Sequence, residues 1–466
     1  MQVIDPSIFK AYDIRGVAGE NLTADVVEKI GRVLGSMAVE SGVGPVCVGR
    51  DGRLSGPELK GALIRGIAAA GADVYVYDIG MVPTPVLYFA TKYFGSGSGV
   101  SVTGSHNPSR DNGLKLMLGG KTLFGPMIQD IRRRVESEEW SIASKPGKVE
   151  VKDAETPYFE TVTRDIHLER PVSVLLDSGN GVTGPLAMRL YRAAGCKVEG
   201  LFTEVDGHFP NHHPDPSKPK NLEQLIERLK SSDAEVGLAF DGDGDRLGVV
   251  SRKGEIIYPD RQMMLFAADI LEKKPGSRII YDVKCTRKLV DWVKSHGGIP
   301  TISCTGHSFV KAKLAETNAP FAGEMSGHIF FNDGRWPGFD DGLYAGLRMV
   351  EILSRTDDPT ALLSSLPTAV NTPELQVPMA EGENKKFVER LQKEVHFDDA
   401  TDEIRIDGLR VEWPDGFALA RASNTTPVLV IRLEGDTPEA LKRIEQVFGA
   451  ALKKLDPSIK LPFSAE

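Results

Sequence analysis

A supersecondary pattern that occurs three times along the chain constrains the fold more than any other feature. Each copy has an apolar run with an aspartate at or near its end, then a turn, an amphipathic helix and a second apolar run; the aspartates are Asp51, Asp177 and Asp282. A glycine follows each helix, where a left-handed backbone conformation commonly ends helices. Strands that alternate with helices form right-handed crossovers and parallel pairs. We therefore predict three consecutive, related α/β domains with mixed, mostly parallel sheets.

The C-terminal part of the chain follows a different pattern. Several apolar runs occur there without helices between them, and a closing amphipathic helix has Pro438 in its first turn, where proline is favoured. This pattern predicts a smaller α+β domain with an antiparallel sheet. The four predicted domains are 1–148, 149–255, 256–367 and 368–466.

The composition narrows the classes of partner. The 466 residues carry a net charge of −9, and 41% of them are hydrophobic, which suits a soluble globular protein. This charge argues against general binding to nucleic acid or anionic membranes, although a local basic pocket can still bind a small anion. The four cysteines form no C-x-x-C pair, and the sequence shows neither a secretory signal nor a stretch of about 20 apolar residues. We therefore predict a cytoplasmic protein.

The segment DGDGDR gives the strongest local signal for chemistry. Asp241, Asp243 and Asp245 alternate with glycines directly after an apolar run, so three carboxylates can converge on one cation. Oxygen-only ligands suit Mg²⁺ or Ca²⁺. An EF-hand loop is excluded, because it needs Gly and Glu where Arg246 and Arg252 stand. The alternative is a solvated acidic turn, in which three like charges would lie together without compensation.

A serine in a tight turn is the second candidate for chemistry. Ser105 lies in VTGSHNPS after a predicted strand, with His106 beside it. A hydrolase nucleophile elbow would need glycine where Thr103 and Asn107 stand. Two interpretations stay open, a serine that only stabilises a turn or helix end and a serine that carries phosphoryl chemistry.

Two further motifs suggest other kinds of site. The glycines of SGNGVTG match G-x-G-x-x-G after a predicted strand, which is typical of a dinucleotide site, but a structural tight turn explains them equally well. The histidines of HFPNHHP could bind zinc, but neighbouring prolines exclude the helix that would align them. The residues concerned are Gly179, Gly181, Gly184, His208, His212 and His213. We expect a proline-containing loop at the histidines and keep an NAD-dependent oxidoreductase as the alternative function.

Two polar motifs in the second half of the chain suit the recognition of a sugar phosphate. In GEMSGH, Glu324, Ser326 and His328 alternate, so in an extended strand all three would point to one side and could bind hydroxyl groups. RASNTTP combines a guanidinium with hydroxyl groups in a turn between predicted strands, which suits a phosphate group. Its candidate residues are Arg421, Ser423, Asn424 and Thr425. Ordinary polar strand and turn residues are the alternative in both motifs.

Five motifs in order make the chain resemble the α-D-phosphohexomutase family, and within it the bacterial phosphomannomutase/phosphoglucomutase group. They are AYDIRG, TGSHNP, DGDGDR, GEMSGH and RASNTTP. Met325 stands where the related phosphoglucosamine mutases usually have Gln, which favours the hexose enzymes. The resemblance spans essentially the whole chain. It implies four domains around a central cleft, the last of them α+β and similar to the TATA-binding-protein fold.

The resemblance also implies a role for each motif. Ser105 would carry a phosphoryl group, and one Mg²⁺ per chain would bind the phosphoserine oxygen together with Asp241, Asp243 and Asp245. Further catalytic positions implied by the match are Arg15, His106, Lys115, Arg246 and His328. The implied substrate contacts are Tyr12, Lys284, His307, Glu324, Ser326, Arg421, Ser423, Asn424 and Thr425.

The reaction that the resemblance implies moves a phosphoryl group reversibly between the 1- and 6-positions of glucose and mannose phosphates. Its intermediates would be phospho-Ser105 and a hexose 1,6-bisphosphate, which reorients and also acts as an activator. His328 and Lys115 are both candidates for the general base. The implied partners are small hexose phosphates, with neither nucleic acid nor membrane, and the implied state is a monomer. A sugar-phosphate sensor without catalysis is a further alternative.

Overall fold

The computed structural model of the protein describes residues 4–71, 73–424 and 426–463. The chain forms two compact units, Met1–Gln262 with Ser326–Ser365, and Met263–Met325 with Leu366–Glu466. Among the described residues, no helix combines the length and the apolar character needed to cross a lipid bilayer. The four domain boundaries given above stay a prediction.

A mixed seven-stranded sheet forms the N-terminal part of the first unit. Its strands are β1 (Ile14–Val17), β2 (Val46–Arg50), β3 (Val76–Met81), β4 (Ser98–Val102), β5 (Asp111–Leu118), β6 (Lys121–Thr122) and β7 (Val149–Val151). Its helices are a 3-10 turn (Pro6–Ile8), α1 (Ala24–Glu40), α2 (Gly56–Ala68), α3 (Thr84–Tyr93) and α4 (Pro126–Glu136). The strand order is β1-β5-β4-β2-β3-β7, with β6 beside β5. β2 is parallel to β3 and β4, whereas β5 is antiparallel to β1 and β4.

A second, five-stranded sheet follows in the same unit. Its strands are β8 (Ser173–Asp177), β9 (Lys197–Leu201), β10 (Val236–Phe240), β11 (Leu247–Ser251) and β12 (Ile256–Ile257). Its helices are α5 (Glu155–Asp165), α6 (Gly184–Ala193), a 3-10 turn (Pro219–Leu222) and α7 (Glu223–Lys230). The strand order is β12-β11-β10-β8-β9, in which β8 is parallel to β9 and β10.

The next segment forms three parallel strands that belong to the second unit. The chain then continues into residues 326–365, which belong to the first unit. In chain order it contains α8 (Pro259–Lys273), β13 (Arg278–Asp282), α9 (Arg287–Ser295), β14 (Ile299–Ser303), α10 (His307–Thr317) and β15 (Phe321–Gly323). β13 lies between β14 and β15 and is parallel to both. The returning part contains β16 (Ile329–Phe331), α11 (Gly342–Leu353) and α12 (Pro359–Ser364).

The C-terminal part of the second unit is an antiparallel sheet with two helices. Its elements are β17 (Val370–Asn371), β18 (Leu375–Pro378), α13 (Glu383–Glu394), β19 (Asp402–Ile404), β20 (Leu409–Trp413), β21 (Gly416–Ala422), β22 (Val428–Gly435) and α14 (Pro438–Leu455). The order is β17-β22-β21-β20-β19, with β18 beside β22. The apolar face of this sheet packs on both helices through residues such as Phe387, Ile431 and Phe448. The predicted α+β arrangement is therefore confirmed.

The three predicted repeats are confirmed as β2–α2, β8–α6 and β13–α9. The glycines expected after these helices, Gly71, Gly195 and Gly297, have φ values of 124°, 101° and 76°. Residues with a Cβ are disfavoured at such φ values, so glycine is the residue that can follow each helix with little conformational strain. The loops that carry Ser105, DGDGDR and GEMSGH follow β4, β10 and β15, which are parallel neighbours of the first strands of these repeats.

Candidate active site

The loop between β4 and β5 carries Ser105 in an uncommon backbone conformation. Ser105 is fully buried and has a φ of 50°, in the left-handed region that residues other than glycine rarely adopt. Its N–H donates to the hydroxyl of Thr103 at 2.8 Å. Its Oγ lies 3.1 Å from a carboxylate oxygen of Asp241 and 3.3 Å from Nδ1 of His106. The surrounding structure therefore fixes this serine against the acidic segment predicted to bind metal.

The three aspartates of DGDGDR converge in the loop between β10 and β11. Asp241, Asp243 and Asp245 are fully buried, and one oxygen of each lies within 4.8 Å of the others. Oδ1 of Asp243 and Oδ1 of Asp245 are buried without a hydrogen-bond partner. Buried carboxylate oxygens in this position are costly unless they bind a cation. The donor set therefore fits a hard divalent cation such as Mg²⁺.

Lys115, on β5, balances part of this negative charge. Its Nζ lies 2.7 Å from Asp243 and also contacts Asp245. Burial by itself lowers the pKa of Lys115, but the two carboxylates raise it above its ordinary value. Burial raises the pKa of Asp243, but Lys115 and the hydroxyl of Thr84, which donates at 2.6 Å, hold it below its ordinary value. Lys115 is therefore a charged ammonium at neutral pH.

Arg15, the second residue of β1, lies against the serine loop. Its Nε donates to Asp13 at 2.6 Å, and one terminal nitrogen donates to the side chain of Asn107 at 2.8 Å. The same nitrogen lies 3.3 Å from the carbonyl oxygen of Gly104. Arg15 thus ties the first strand to the loop that carries Ser105.

His328 forms a chain of contacts with Arg246 and Asp340. Nε of Arg246 donates to Nε2 of His328 at 3.1 Å, and Nδ1 of His328 lies 2.9 Å from Asp340. Because a guanidinium only donates, Nε2 accepts and the ring proton belongs on Nδ1, facing the carboxylate. Sequence reasoning did not find Asp340, which directly precedes Asp341, the residue that caps α11. The arrangement sets the tautomer of one of the two candidates for the general base.

The imidazole of His106 favours its neutral form. Burial, followed by the charges of Arg246 and Arg15, lowers its pKa well below the ordinary value. A neutral ring 3.3 Å from the hydroxyl of Ser105 can accept its proton or donate to it, depending on the tautomer.

The GEMSGH segment differs from its prediction as an extended strand. β15 ends at Gly323, residues 325–327 form a turn, and Gly327 has a φ of 100°. The expectation that Glu324, Ser326 and His328 point to one side of a strand is therefore wrong, because a turn at residues 325–327 interrupts the strand. Glu324 is buried and accepts from the N–H of Gly306 at 2.6 Å.

The RASNTTP turn joins β21 to β22, as predicted. Nε of Arg421 lies 3.0 Å from Asp407, and the same carboxylate oxygen accepts from the N–H of Thr305 at 2.9 Å. The side-chain amide of Asn424 lies 3.4 Å from the carbonyl oxygen of Thr305. The hydroxyl of Ser423 accepts a hydrogen bond from the hydroxyl of Thr426 within the turn at 3.0 Å. Thr425 lies outside the described residues.

Three further residues are predicted to bind substrate. Lys284 and His307 lie in the second unit, and Tyr12 lies in the first. Lys284 is buried after β13 and pairs with Glu374 at 2.9 Å. Burial lowers its pKa, but Glu374 and then Asp282 raise it above its ordinary value. His307 is buried at the first position of α10, and Tyr12 is half-buried just before β1. Sequence reasoning did not find Glu374 or Asp407, because both lie outside the motifs.

The glycines that suggested a dinucleotide site have a packing explanation. Gly179 has a φ of 50°. A Cβ on Gly184 would lie 2.0 Å from the carbonyl oxygen of Thr203, and one on Gly181 would lie 3.0 Å from that of Gly242. Close backbone approach therefore requires the glycines without any nucleotide, which removes the basis of the oxidoreductase alternative.

The three histidines that suggested zinc lie in an irregular segment, as expected, and contact different groups. His208 is exposed. Nε2 of His212 lies 3.0 Å from Asp177, and Nε2 of His213 contacts the carbonyl oxygen of His106. This arrangement gives no support to a zinc site.

Four models of one family match the chain in order. They are the α/β/α domains I, II and III and the C-terminal domain of phosphoglucomutase/phosphomannomutase, at residues 6–141, 156–254, 258–370 and 374–450. The predicted architecture of three α/β domains and a further C-terminal domain is thus confirmed.

Individual relatives match over nearly their whole length. A phosphoglucomutase of Neisseria gonorrhoeae is 52% identical over 97% of this chain and 98% of its own. A phosphomannomutase/phosphoglucomutase of Pseudomonas aeruginosa is 50% identical over 98% of both chains. A crystal structure of a phosphoglucomutase/phosphomannomutase family protein from Burkholderia thailandensis has a TM-score of 0.94 and 54% identity, covering 99% of this chain and 100% of that one. The chain therefore belongs to the phosphoglucomutase/phosphomannomutase family, a family of α-D-phosphohexomutase enzymes.

Proposed function

We propose that the protein interconverts the 1- and 6-phosphates of glucose and of mannose, with Ser105 as the phosphoryl carrier. The observation that carries this proposal is the position of Ser105, whose buried Oγ lies 3.1 Å from Asp241 of the carboxylate triad. Relatives at 50–52% identity named phosphoglucomutase and phosphomannomutase/phosphoglucomutase support both sugars as substrates.

The proposed cycle has two phosphoryl transfers. In the first, the free hydroxyl oxygen of a hexose monophosphate bonds to the phosphorus of phospho-Ser105 and its proton passes to a base. The bond from phosphorus to Oγ breaks, and Oγ takes up a proton as it leaves. The hexose 1,6-bisphosphate then reorients. In the second, Oγ of Ser105 gives up its proton to a base and bonds to the other phosphorus. The bond from that phosphorus to the sugar oxygen breaks, and the sugar oxygen leaves with a proton. Product and phosphoserine result, so the sum of the two steps is an isomerisation.

Charge balance explains why the site needs both a cation and basic side chains. A phosphoserine carries about −1.5 to −2 at neutral pH, so with three carboxylates and one Mg²⁺ the site still carries about −2.5 to −3. Mg²⁺ held by Asp241, Asp243 and Asp245 would neutralise charge on the phosphoryl oxygens. Lys115, Arg15 and Arg246 offset the remainder, which lets a second phosphate approach.

We assign the general base to His328 rather than Lys115. Lys115 is held protonated by two carboxylates, and its raised pKa makes it a poor proton acceptor. Nε2 of His328 already accepts a hydrogen bond from Arg246, while Asp340 faces the opposite nitrogen. If Arg246 turns toward the phosphoryl group, Nε2 becomes available to the sugar hydroxyl.

The remaining recognition residues would hold the sugar and the phosphate that is not transferred. Glu324 offers a carboxylate for sugar hydroxyls. Lys284 and Arg421 supply positive charge, and Asn424 adds a hydrogen-bond donor for the remote phosphate. We further propose that the protein acts as a monomer in the cytoplasm on small hexose phosphates.

An assay of the purified protein on glucose 1-phosphate and on mannose 1-phosphate tests the proposal. With Mg²⁺ and a hexose 1,6-bisphosphate present, we expect both 6-phosphates to form. Intact mass should show one phosphoryl group on the wild type and none on Ser105→Ala, which should lose turnover. Ser109→Ala, at an exposed serine of the same loop, is the matched control. Wild-type turnover in Ser105→Ala would refute the carrier role, and a phosphorylated protein without turnover would favour the sensor.

A further inference from the structure

A fully buried arginine lies beneath the loop that carries Ser105. The side chain of Arg53, which follows β2, is 0% exposed. One terminal nitrogen donates to the carbonyl oxygens of Ser105 at 2.8 Å and Asn107 at 2.7 Å. The other donates to that of Asp111 at 2.8 Å and contacts that of Pro108. A single guanidinium thus binds three backbone carbonyls of the loop and that of Asp111, the first residue of β5.

The charge of Arg53 is balanced by a residue that binds the start of the same loop. Asp51 accepts from Nε of Arg53 at 3.2 Å. It also accepts from the hydroxyl of Thr103 at 2.7 Å and from the N–H of Gly104 at 3.3 Å. Burial of an ion pair is tolerated when further hydrogen bonds satisfy both partners, as they do here. The pair therefore holds the loop from its first residue to its last.

The loop is shaped to the guanidinium. A Cβ on Gly104 would lie 2.4 Å from Cζ of Arg53, so the loop backbone rests directly on the guanidinium plane. Ser105 has a φ of 50° in this loop. Its carbonyl oxygen accepts from Arg53 and also lies close to Gly242, where an added Cβ would be only 2.4 Å from it. A backbone conformation that is unfavourable for serine persists where its surroundings over-determine it.

A segment that the proposed function does not otherwise use packs against the guanidinium of Arg53. The ring of Phe209, from the histidine-rich segment, lies 5.2 Å from Cζ of Arg53, within the range of a cation–π contact. Phe209 itself has a φ of 52°. The same segment contacts the serine loop directly, through Nε2 of His213 and the carbonyl oxygen of His106. Phe209 and His213 therefore place this segment against both Arg53 and the serine loop.

We propose that Arg53 is a positioning residue for phosphoryl transfer, held in place by Asp51 and Phe209. The proposal rests on the carrier role proposed for Ser105. Arg53 is buried beneath the loop, so it acts through the four carbonyls, which fix Oγ of Ser105 relative to the carboxylate triad. Lysine would keep the charge but has no planar fork to bind carbonyls in several directions. The arrangement of donors, rather than the charge, is therefore the functional property.

Arg53→Lys and Arg53→Ala test the proposal. Misplacement of a reacting atom by about 1 Å can cost about 100-fold in rate, so we expect kcat to fall by about that factor. KM for glucose 1-phosphate should change less than about threefold, because Arg53 is not a substrate contact. Transfer from hexose 1,6-bisphosphate to Ser105, followed by intact mass, should slow in parallel. Arg110→Ala, at a loop arginine that is 75% exposed, is the control and should behave as wild type.

Chemical rescue separates positioning from a loss of folding. Added guanidinium at low concentration should restore part of kcat in Arg53→Ala, whereas methylammonium or urea at the same concentration should not. A folded Arg53→Lys with wild-type kcat would overturn the proposal, as would rescue by methylammonium.

A second variant keeps the test decisive if both Arg53 variants fail to fold. Phe209→Leu removes the ring that covers the guanidinium, and we expect a loss of about three- to tenfold in kcat with KM unchanged. Unchanged kcat in Phe209→Leu would then overturn the proposal. Failure of the underlying carrier role is distinguishable, because it would appear as turnover in Ser105→Ala whatever the Arg53 variants do.

Discussion

The two units of the molecule hold the basic side chains that we propose to bind phosphate in different ways. In the first, Lys115 contacts Asp243 and Asp245, whose side chains are 0% exposed. In the second, Lys284 pairs with Glu374, which is 34% exposed, and Arg421 pairs with Asp407, which is 16% exposed. The first set lies at the proposed site of phosphoryl transfer, and the second at the proposed site for the remote phosphate.

The difference in carboxylate exposure indicates how each set of ion pairs can respond to a ligand. Buried pairs resist separation, because loss of one partner leaves an uncompensated charge away from water. Pairs with a partly exposed carboxylate are weaker, and that carboxylate can turn into solvent when phosphate takes its place. We infer that the transfer site is preorganised, whereas the carboxylates of the second unit occupy its cations until the substrate binds.

Asp243→Asn should have the largest effect, because it disturbs the preorganised set. It removes a proposed metal ligand and one of the two carboxylate partners of Lys115, and we expect kcat to fall by about 100- to 1000-fold. The concentration of Mg²⁺ needed for half-maximal activity should rise, which a Mg²⁺ titration of activity measures. Asp233→Asn, at an exposed residue before β10, is the control. An unchanged Mg²⁺ dependence would contradict the metal-binding role of the triad.

Arg421→Ala should have an intermediate effect of a different kind. It removes a charged donor for the phosphate that is not transferred, so KM should rise by about 10- to 100-fold with little change in kcat. Steady-state kinetics on glucose 1-phosphate and mannose 1-phosphate measure both constants. Arg443→Ala removes an arginine of the same unit that is 40% exposed, and it should change neither. If KM for both sugars stays at the wild-type value, the assignment of Arg421 is wrong.

The sequence alone predicted those parts of the molecule that local residue patterns determine. The periodicity of the three repeats and the glycines after their helices predicted β2–α2, β8–α6 and β13–α9, all of which are present. The alternation of aspartate and glycine predicted a convergent carboxylate triad, which is present because the tight loop after β10 brings the three side chains together.

The remaining features depend on contacts between distant parts of the chain. Asp340 is identified only by its distance to His328, and Arg53 only by the four carbonyls that it binds. The GEMSGH prediction failed because alternation of polar residues does not distinguish a strand from a turn, and Gly327 at a φ of 100° makes the turn. Periodicity carries no signal for such single-residue conformations.

Glu374→Gln should have the smallest effect. It should lower KM, whereas Arg421→Ala should raise it. It removes the carboxylate that occupies Lys284, so phosphate no longer competes with an internal anion and KM should fall by about two- to fivefold. Because Glu374 raises the pKa of Lys284, its loss should lower that pKa, and KM should start to rise at a lower alkaline pH than in the wild type. Steady-state kinetics from neutral to alkaline pH measure both effects, with Glu381→Gln, at an exposed residue of the same unit, as control. A higher KM at neutral pH would show that Glu374 orients Lys284 for the substrate instead of competing with it, and the two units would then bind phosphate in the same preorganised way.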